Sequence, residues 1–301
     1  MGMIESKTLH NRQPSDSRRS FSQTQVLEFR ALSRTAFPGM PVADPTPAAE
    51  PAHEAWKPME MGRYRVTIAE TLAEREAACR LRFKVFNIEL GEGLQNSYTT
   101  GLDTDQFDLF CDQLIVEDRN SRSIVGTYRM QTGRTAALNL GYYSEQEFDF
   151  RPYEPLRQWT LELGRASVDR EHRSSEVLTL LWRGISQYVR VHNLRYLIGC
   201  SSLNSQDAMI GWEMYRQLSG FLARDEFRTS PTPAYTLPFT DQTPAVMAKV
   251  PKLLRTYIGI GAKICGPPAL DREFGTIDFL TLLDMRELTP AARVRFLTEV
   301  Q

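Results

Sequence analysis

Glu162 lies in residues 159–173, which read WTLELGRASVDREHR. Acylating an amine needs a group that removes the amine proton, because only the neutral amine attacks a carbonyl carbon; a carboxylate beside an anion-friendly helix end suits that work. Residues 159–167 alternate, with Thr160, Glu162, Gly164 and Ala166 on one side and Leu161, Leu163, Arg165 and Ser167 on the other, which is the period of a strand. From Val177 the period changes. Leu180, Leu181, Ile185, Tyr188 and Val189 recur at three- and four-residue steps, a single apolar stripe on a helix, with Ser174 or Ser175 as its N-cap. Strand, basic turn and helix together place a helix N-terminus and its unpaired N–H groups beside Glu162. The other reading of Glu162 is an acid on a solvated strand face, or one paired with Arg165.

Four acids, Asp103, Asp105, Asp108 and Asp112, fall within ten residues, DTDQFDLFCD. They do not make a calcium loop, because Phe107 stands where a ligand belongs and no glycine follows. No metal is expected. A set of acids also suits a cationic substrate. Arg129 is read as a strand residue that pairs with Asp108 or Glu162, and Arg82 as an arginine one step from an apolar helix face, pairing with an acid.

The elements that must position these groups can be read in order. Residues 1–58 are rich in Ser, Pro, Ala and Arg, and are expected to be a disordered tail with at most a short basic helix at 23–36. Residues 59–301 form the domain. A first strand is expected at 63–68, a helix at 72–86 and a long loop at 87–101. A hairpin at 113–117 and 124–132 is closed by a polar turn. Residues 143–150 form a short helix or turn opened by a Ser144–Glu147 capping box. The central strand and helix follow, then a buried strand at 196–202, helices at 207–218 and 251–261, a strand at 277–283 and a helix at 290–299. This order gives an α/β (α+β) fold, a mixed sheet with helices on both faces. Trp212 and Tyr215 read as core.

A net charge of −1 excludes a general polyanion binder, so no nucleic acid is expected. The four cysteines are scattered without a CxxC pair, which fits a reducing compartment. No apolar run approaches the roughly 18 residues of a membrane span, and no secretory leader is visible. The expected place is the cytoplasm, with at most a peripheral membrane contact.

ELGRASVD before a long helix resembles the central strand and cofactor-side helix of the GNAT acetyltransferase superfamily. LRFKVF (81–86), DTDQFDLFCDQLIV (103–116), VGTYRM (125–130) and CGPPALDREFGTIDFLTLLD (265–284) resemble one branch, the ornithine–acyl carrier protein N-acyltransferases that make lyso-ornithine lipid. The acyl-homoserine lactone synthases are similar more distantly. The resemblance covers residues 64–285 and implies a GNAT-like, mostly antiparallel twisted sheet. It implies that Glu162, Arg165 and Arg129 serve catalysis, that Asp105 and Asp108 form the acceptor pocket and order its loop, and that Arg82 helps bind the acyl donor or its carrier.

The chain departs from the superfamily at Arg173-Ser174-Ser175-Glu176-Val177, where the superfamily has a glycine-rich turn around a pyrophosphate. Without glycine, and with Glu176 there, acetyl-CoA is not expected as donor. Acyl carrier protein is, and no separate cofactor. Arg170, Arg173, Arg183 and Arg190 are then expected to dock the acidic carrier; the other reading is solvated helix charge. No G-x-S-x-G elbow or His–Asp acyltransferase signature is present. Direct attack by the acceptor amine remains. The expected function is transfer of a 3-hydroxyacyl chain to the α-amine of ornithine. The alternatives are another amino acid, a signal synthase, or a non-catalytic carrier-binding module.

Overall fold

The computed structural model describes residues 56–246 and 248–297. The tail expected at 1–58, with its basic helix at 23–36, lies outside the described residues up to residue 55. Trp56, inside that expected tail, already belongs to the fold: it packs against the main core, and its indole N–H donates to Gly184 O at 3.3 Å.

The strands are β1 (Met59–Met61), β2 (Tyr64–Ile68), β3 (Asp112–Asp118), β4 (Ser123–Thr132), β5 (Thr160–Val168), β6 (Tyr196–Leu203), β7 (Lys263–Ile264), β8 (Ala269–Asp271) and β9 (Thr276–Asp284). The helices are α1 (Leu72–Phe83), α2 (Gly133–Leu138), α3 (Ser175–Val191), α4 (Ala208–Gln217), α5 (Lys252–Ile260) and α6 (Pro290–Leu297). The sheet runs β1-β2-β3-β4-β5-β6-β9-β7, with β8 on β9. Every pairing is antiparallel except β5 with β6, which α3 connects as a crossover. A mixed, mostly antiparallel sheet was expected and is present.

Helix α3 forms because its apolar residues share one stripe and Ser174 caps its start, the Ser174 hydroxyl accepting from Val177 N. The stripe buries Val177, Leu180, Leu181 and Ile185 against the sheet, each contributing roughly 1.5–3 kcal/mol. Trp182 stacks on Phe296 of α6 at 5.4 Å, which covers the outer side of the helix. Two smaller clusters fill the other half; Trp212 and Tyr215, expected as core, are partly buried against one of them.

Helix α2 and the short strands β1, β7 and β8 were not expected, and one expected loop is in part helical. The loop expected from residue 87 begins as helix: α1 continues into a π-helix, Lys84–Leu90, that ends at Gly91 with φ +66°. Its i→i+5 bonding disturbs the 3.6-residue period, so the sequence pattern fades where the backbone is still helical. No helix among the described residues is long and apolar enough to cross a membrane.

Candidate active site

Strands β5 and β6 pair over three residues only, Thr160–Glu162 with Tyr196–Ile198. Beyond that point they part. Residues 163–168 keep β4 as their only partner strand, and 199–203 keep β9. At the parting the backbones are close: a Cβ on Gly199 would stand 2.2 Å from Leu163 O, so glycine is required there. A cavity of about 630 Å³ opens in the wedge. Its lining includes the apolar Phe86, Leu178, Leu203, Leu253 and Tyr257 as well as Glu162, Arg129 and Arg165.

Glu162 sits where the wedge begins and is 5% exposed. Its Oε1 accepts from Ser144 N at 2.8 Å and Ser144 Oγ at 2.7 Å, while Oε2 accepts only Tyr143 N, at 2.8 Å. Burial pushes its carboxyl above the usual range, and these hydrogen bonds limit the rise. The amides that meet Glu162 are therefore those of Tyr143 and Ser144. They are not those of α3, which starts beyond Val168, six residues and about 20 Å further along the strand.

Alternation puts Glu162 and Arg165 on opposite faces, yet both line the cavity. The cause is a β-bulge: the register with β4 shifts between Thr127 and Arg129, and Arg165 takes φ +51°. The extra residue re-aims the side chain. The Arg165 guanidinium then lies over the rings of Phe274 and Tyr143, 4.6 and 4.9 Å from their centres.

Arg129 and Arg165 both donate to Asp105, at 2.6 and 2.9 Å. Asp105 also caps the short helical turn Gln106–Leu109, together with Asp108 in a capping box. Arg82, fully buried, donates to Asp103 at 2.7 Å and forks onto both oxygens of Asp108 at 2.7 and 2.9 Å. Gln113 and the Asp105 amide complete the Asp108 carboxylate. Two expectations are corrected here. Arg82 cannot meet a carrier, because it has no exposed surface and its charge is used inside the protein. Asp108 cannot meet an acceptor ammonium, because its oxygens are taken by Arg82 and its neighbours. The D-x-F-D segment orders the loop: Asp103, Asp105 and Asp108 balance Arg82, Arg129 and Arg165, three charges against three.

The arginines expected to dock a carrier do not form one patch. Arg173 lines the cavity mouth and forks onto Glu89 at 2.6 and 2.8 Å. Arg170 is exposed in the same turn. Arg183 is half-buried and donates to Arg295 O of α6. Arg190 is exposed at the far end of α3, about 22 Å from its start. Of the four, only Arg173 lines the cavity, and Arg170 is exposed in the turn beside it.

An acetyltransferase (GNAT) domain is recognised at residues 81–183. An L-ornithine N(alpha)-acyltransferase of Brucella abortus is 30% identical over 248 residues, 76% of this chain and 87% of its own length. Another, from Rhodobacter capsulatus, is 26% identical over 79% of this chain and 96% of its own. The chain belongs to the L-ornithine N(alpha)-acyltransferase family. A solved N-acyl amino acid synthase from uncultured soil microbes is 13% identical, covers 79% of this chain and 97% of its own, and superposes with a TM-score of 0.48. The protein is an acyltransferase, as the resemblance implied.

This member of the L-ornithine N(alpha)-acyltransferase family carries a second set of acids that the sequence reading passed over. Glu92, Asp271 and Asp278 line the cavity, and Glu147 stands behind them. The capping box expected of Ser144 and Glu147 is absent. Ser144 serves Glu162, while Glu147 Oε2 lies 3.6 Å from Cys200 Sγ, which in turn is 3.4 Å from Ser144 Oγ. Burial, with Asp278 nearby, pushes Glu92 up to about 7; burial and Asp271 push Asp278 up to about 6. Burial and the Asp278 charge drive Glu147 further up. Ligand atoms of Glu147, Cys200 and Asp278 lie within 4.8 Å of one another. Burial, with Glu147 beside it, pushes the Cys200 thiol well up.

Proposed function

We propose that the protein transfers a 3-hydroxyacyl chain from acyl carrier protein to the α-amine of L-ornithine, the first step of ornithine lipid synthesis. The observation that carries this reading is the wedge that opens at Glu162. Two strands that part leave unpaired backbone amides facing a gap, which suits an extended, amide-bearing arm such as phosphopantetheine. The apolar part of the lining receives the acyl chain. The arm delivers its thioester towards the apex, where Glu162 stands.

Glu162 removes the proton from the acceptor amine through the free capacity of Oε2, or through a water held there. That first proton passes to solvent, and the neutral nitrogen then bonds to the thioester carbon, pushing the carbonyl electron pair onto oxygen and giving its second proton to Glu162. As the intermediate collapses, the carbon–sulfur bond breaks and the sulfur leaves with the proton from Glu162. Arg129 and Arg165 line this end and supply the positive charge that an α-amino acid carboxylate needs. Arg170 and Arg173 remain as the arginines able to touch the carrier, and the absence of glycine at 173–177 favours a carrier over free coenzyme A.

Purified protein incubated with 3-hydroxyacyl carrier protein, 3-hydroxyacyl-CoA and a panel of amino acids tests this. Acyl-ornithine should form from the carrier thioester, more slowly from the CoA thioester, and the carrier reaction should weaken as salt rises. Equal turnover of both donors without salt sensitivity would remove the carrier; no acylation of ornithine would remove the acceptor.

A further inference from the structure

The two acidic sets of this protein differ in their partners. Asp103, Asp105 and Asp108 are balanced by three arginines. Among the described residues Glu92, Glu147, Asp271 and Asp278 make no ion pair with any Lys, Arg or His, although they are 8%, 1%, 3% and 4% exposed. Asp271 spends one oxygen on the Glu273 and Phe274 amides of its own turn. Asp278 accepts from the Thr276 hydroxyl at 2.9 Å. Negative charge held in a cavity without a cation is costly, and the usual answer is a bound cation or a proton.

A second, independent observation points to a hydrogen-bond donor as the missing ligand. Gln131 is 2% exposed and lines the same cavity, and its Oε1 accepts no hydrogen bond; its amide nitrogen is spent on Gly141 O. In the β4–β5 register it lies opposite Glu162, so it stands on the same face. Glu147 and Asp278 share a side-chain hydrogen bond, through a proton that Glu147 holds. A buried acceptor lacking a donor, in the same cavity as carboxyls that meet no cation, complements an ammonium, which offers three donors and a charge. The location fits a diamino acid. Glu162, Ser144, Cys200 and Glu147 follow one another in contact, so the acids lie a few contacts from the base.

We infer that Asp278, with Glu92 beside it and Glu147 behind it, holds the terminal ammonium of the acceptor while its α-amine sits at Glu162. This rests on the function proposed above and moves the ammonium site away from the Asp103–Asp112 loop. The acceptor is then measured by the distance between the two ends: a shorter or uncharged side chain leaves the acids unpaired.

The test is the ratio of kcat/KM for ornithine over norvaline, which has the same chain without the terminal amine. It is measured in wild type, Asp278→Asn, Glu92→Gln and Asp105→Asn. The wild-type ratio should exceed roughly 100, and Asp278→Asn should reduce it roughly 30-fold or more. Glu92→Gln should reduce it less, and Asp105→Asn should lower both substrates alike. The inference is overturned if wild type uses both acceptors equally, if Asp278→Asn and Glu92→Gln leave the ratio unchanged, or if metal analysis finds a stoichiometric ion whose chelation abolishes turnover of both. Should Asp278→Asn fail to fold, the wild-type ratio and Glu92→Gln still decide. Acylation of both amino acids with a ratio near one would defeat this inference and leave the acyltransferase reading intact; no acylation of either would defeat that reading first.

Discussion

Ser144 gives Glu162 two hydrogen bonds, one from its backbone amide and one from its hydroxyl, both to the same oxygen. The hydroxyl is thus a tuning group for the proposed base. It favours the ionised carboxylate against a buried setting that disfavours it, and it leaves the other oxygen nearly free to meet an amine.

Glu162→Gln keeps the shape and removes the base, so turnover should fall by roughly 10²–10⁴ with little change in melting temperature. In wild type the rate should drop as pH falls through a value above that of a free glutamate, because the base must be ionised and burial raises its pKa. Ser144→Ala removes a donor to the charged form and should move that acid limb to higher pH. A limb that stays in place in Ser144→Ala would separate the hydroxyl from the base.

Arg82 is a buried fork between two aspartates. Arg82→Lys offers one point of charge where two carboxylates need a planar donor, so the variant should melt about 10 °C lower. Where it remains folded, its KM for the carrier should equal that of wild type. A raised KM without loss of stability would restore the carrier role.

The stability of the unliganded protein should fall as pH rises from about 4 to about 7. Glu92 and Asp278 hold their protons in the fold to about 7 and about 6, whereas the unfolded chain releases them near 4. Between those values the folded state binds more protons, so rising pH favours unfolding. Asp108 works in the opposite sense. Burial disfavours its charge, but Arg82 and Arg129 outweigh burial and hold it well below the usual range, so its contribution is present above about 4 and is lost as pH falls further. Thermal melts against pH in wild type and Asp278→Asn should show the decline above pH 4 flattened in the variant. An unchanged slope would exclude Asp278 as its source.

Gly199→Ala puts a methyl group against Leu163 O at the point where β5 and β6 part. The three-residue pairing must shift to relieve it, moving Glu162 with it. Turnover should fall at least 10-fold. Full activity would show that the wedge tolerates a different opening.

The β5–α3 unit was legible because period 2 changes to period 3.6 within one stretch, and the capping serine marks the change. Glu162, Arg129, Asp105 and Asp108 were found by motif, but the partition of charge among them was not. Which acid an arginine neutralises depends on distances that no spacing fixes. Arg165 was misplaced by alternation, since nothing in LGRAS announces a bulge or a left-handed arginine. Glu92, Glu147 and Asp278 were missed because they come from three separate parts of the chain. Glu147 also had an adequate local explanation as a helix cap, which the fold did not use.

The sheet is continuous in outline, yet its two halves share a seam of three residue pairs. Amide protons on either side of such a seam exchange with solvent at rates set by how often it loosens, well below the cost of unfolding the whole. A donor lying along the seam, as proposed above, would add hydrogen bonds that the protein alone does not make. Loading the enzyme should therefore stitch the halves together, slowing exchange along 163–168 and 199–203 together, so that each catalytic cycle is also a cycle of mechanical tightening and release.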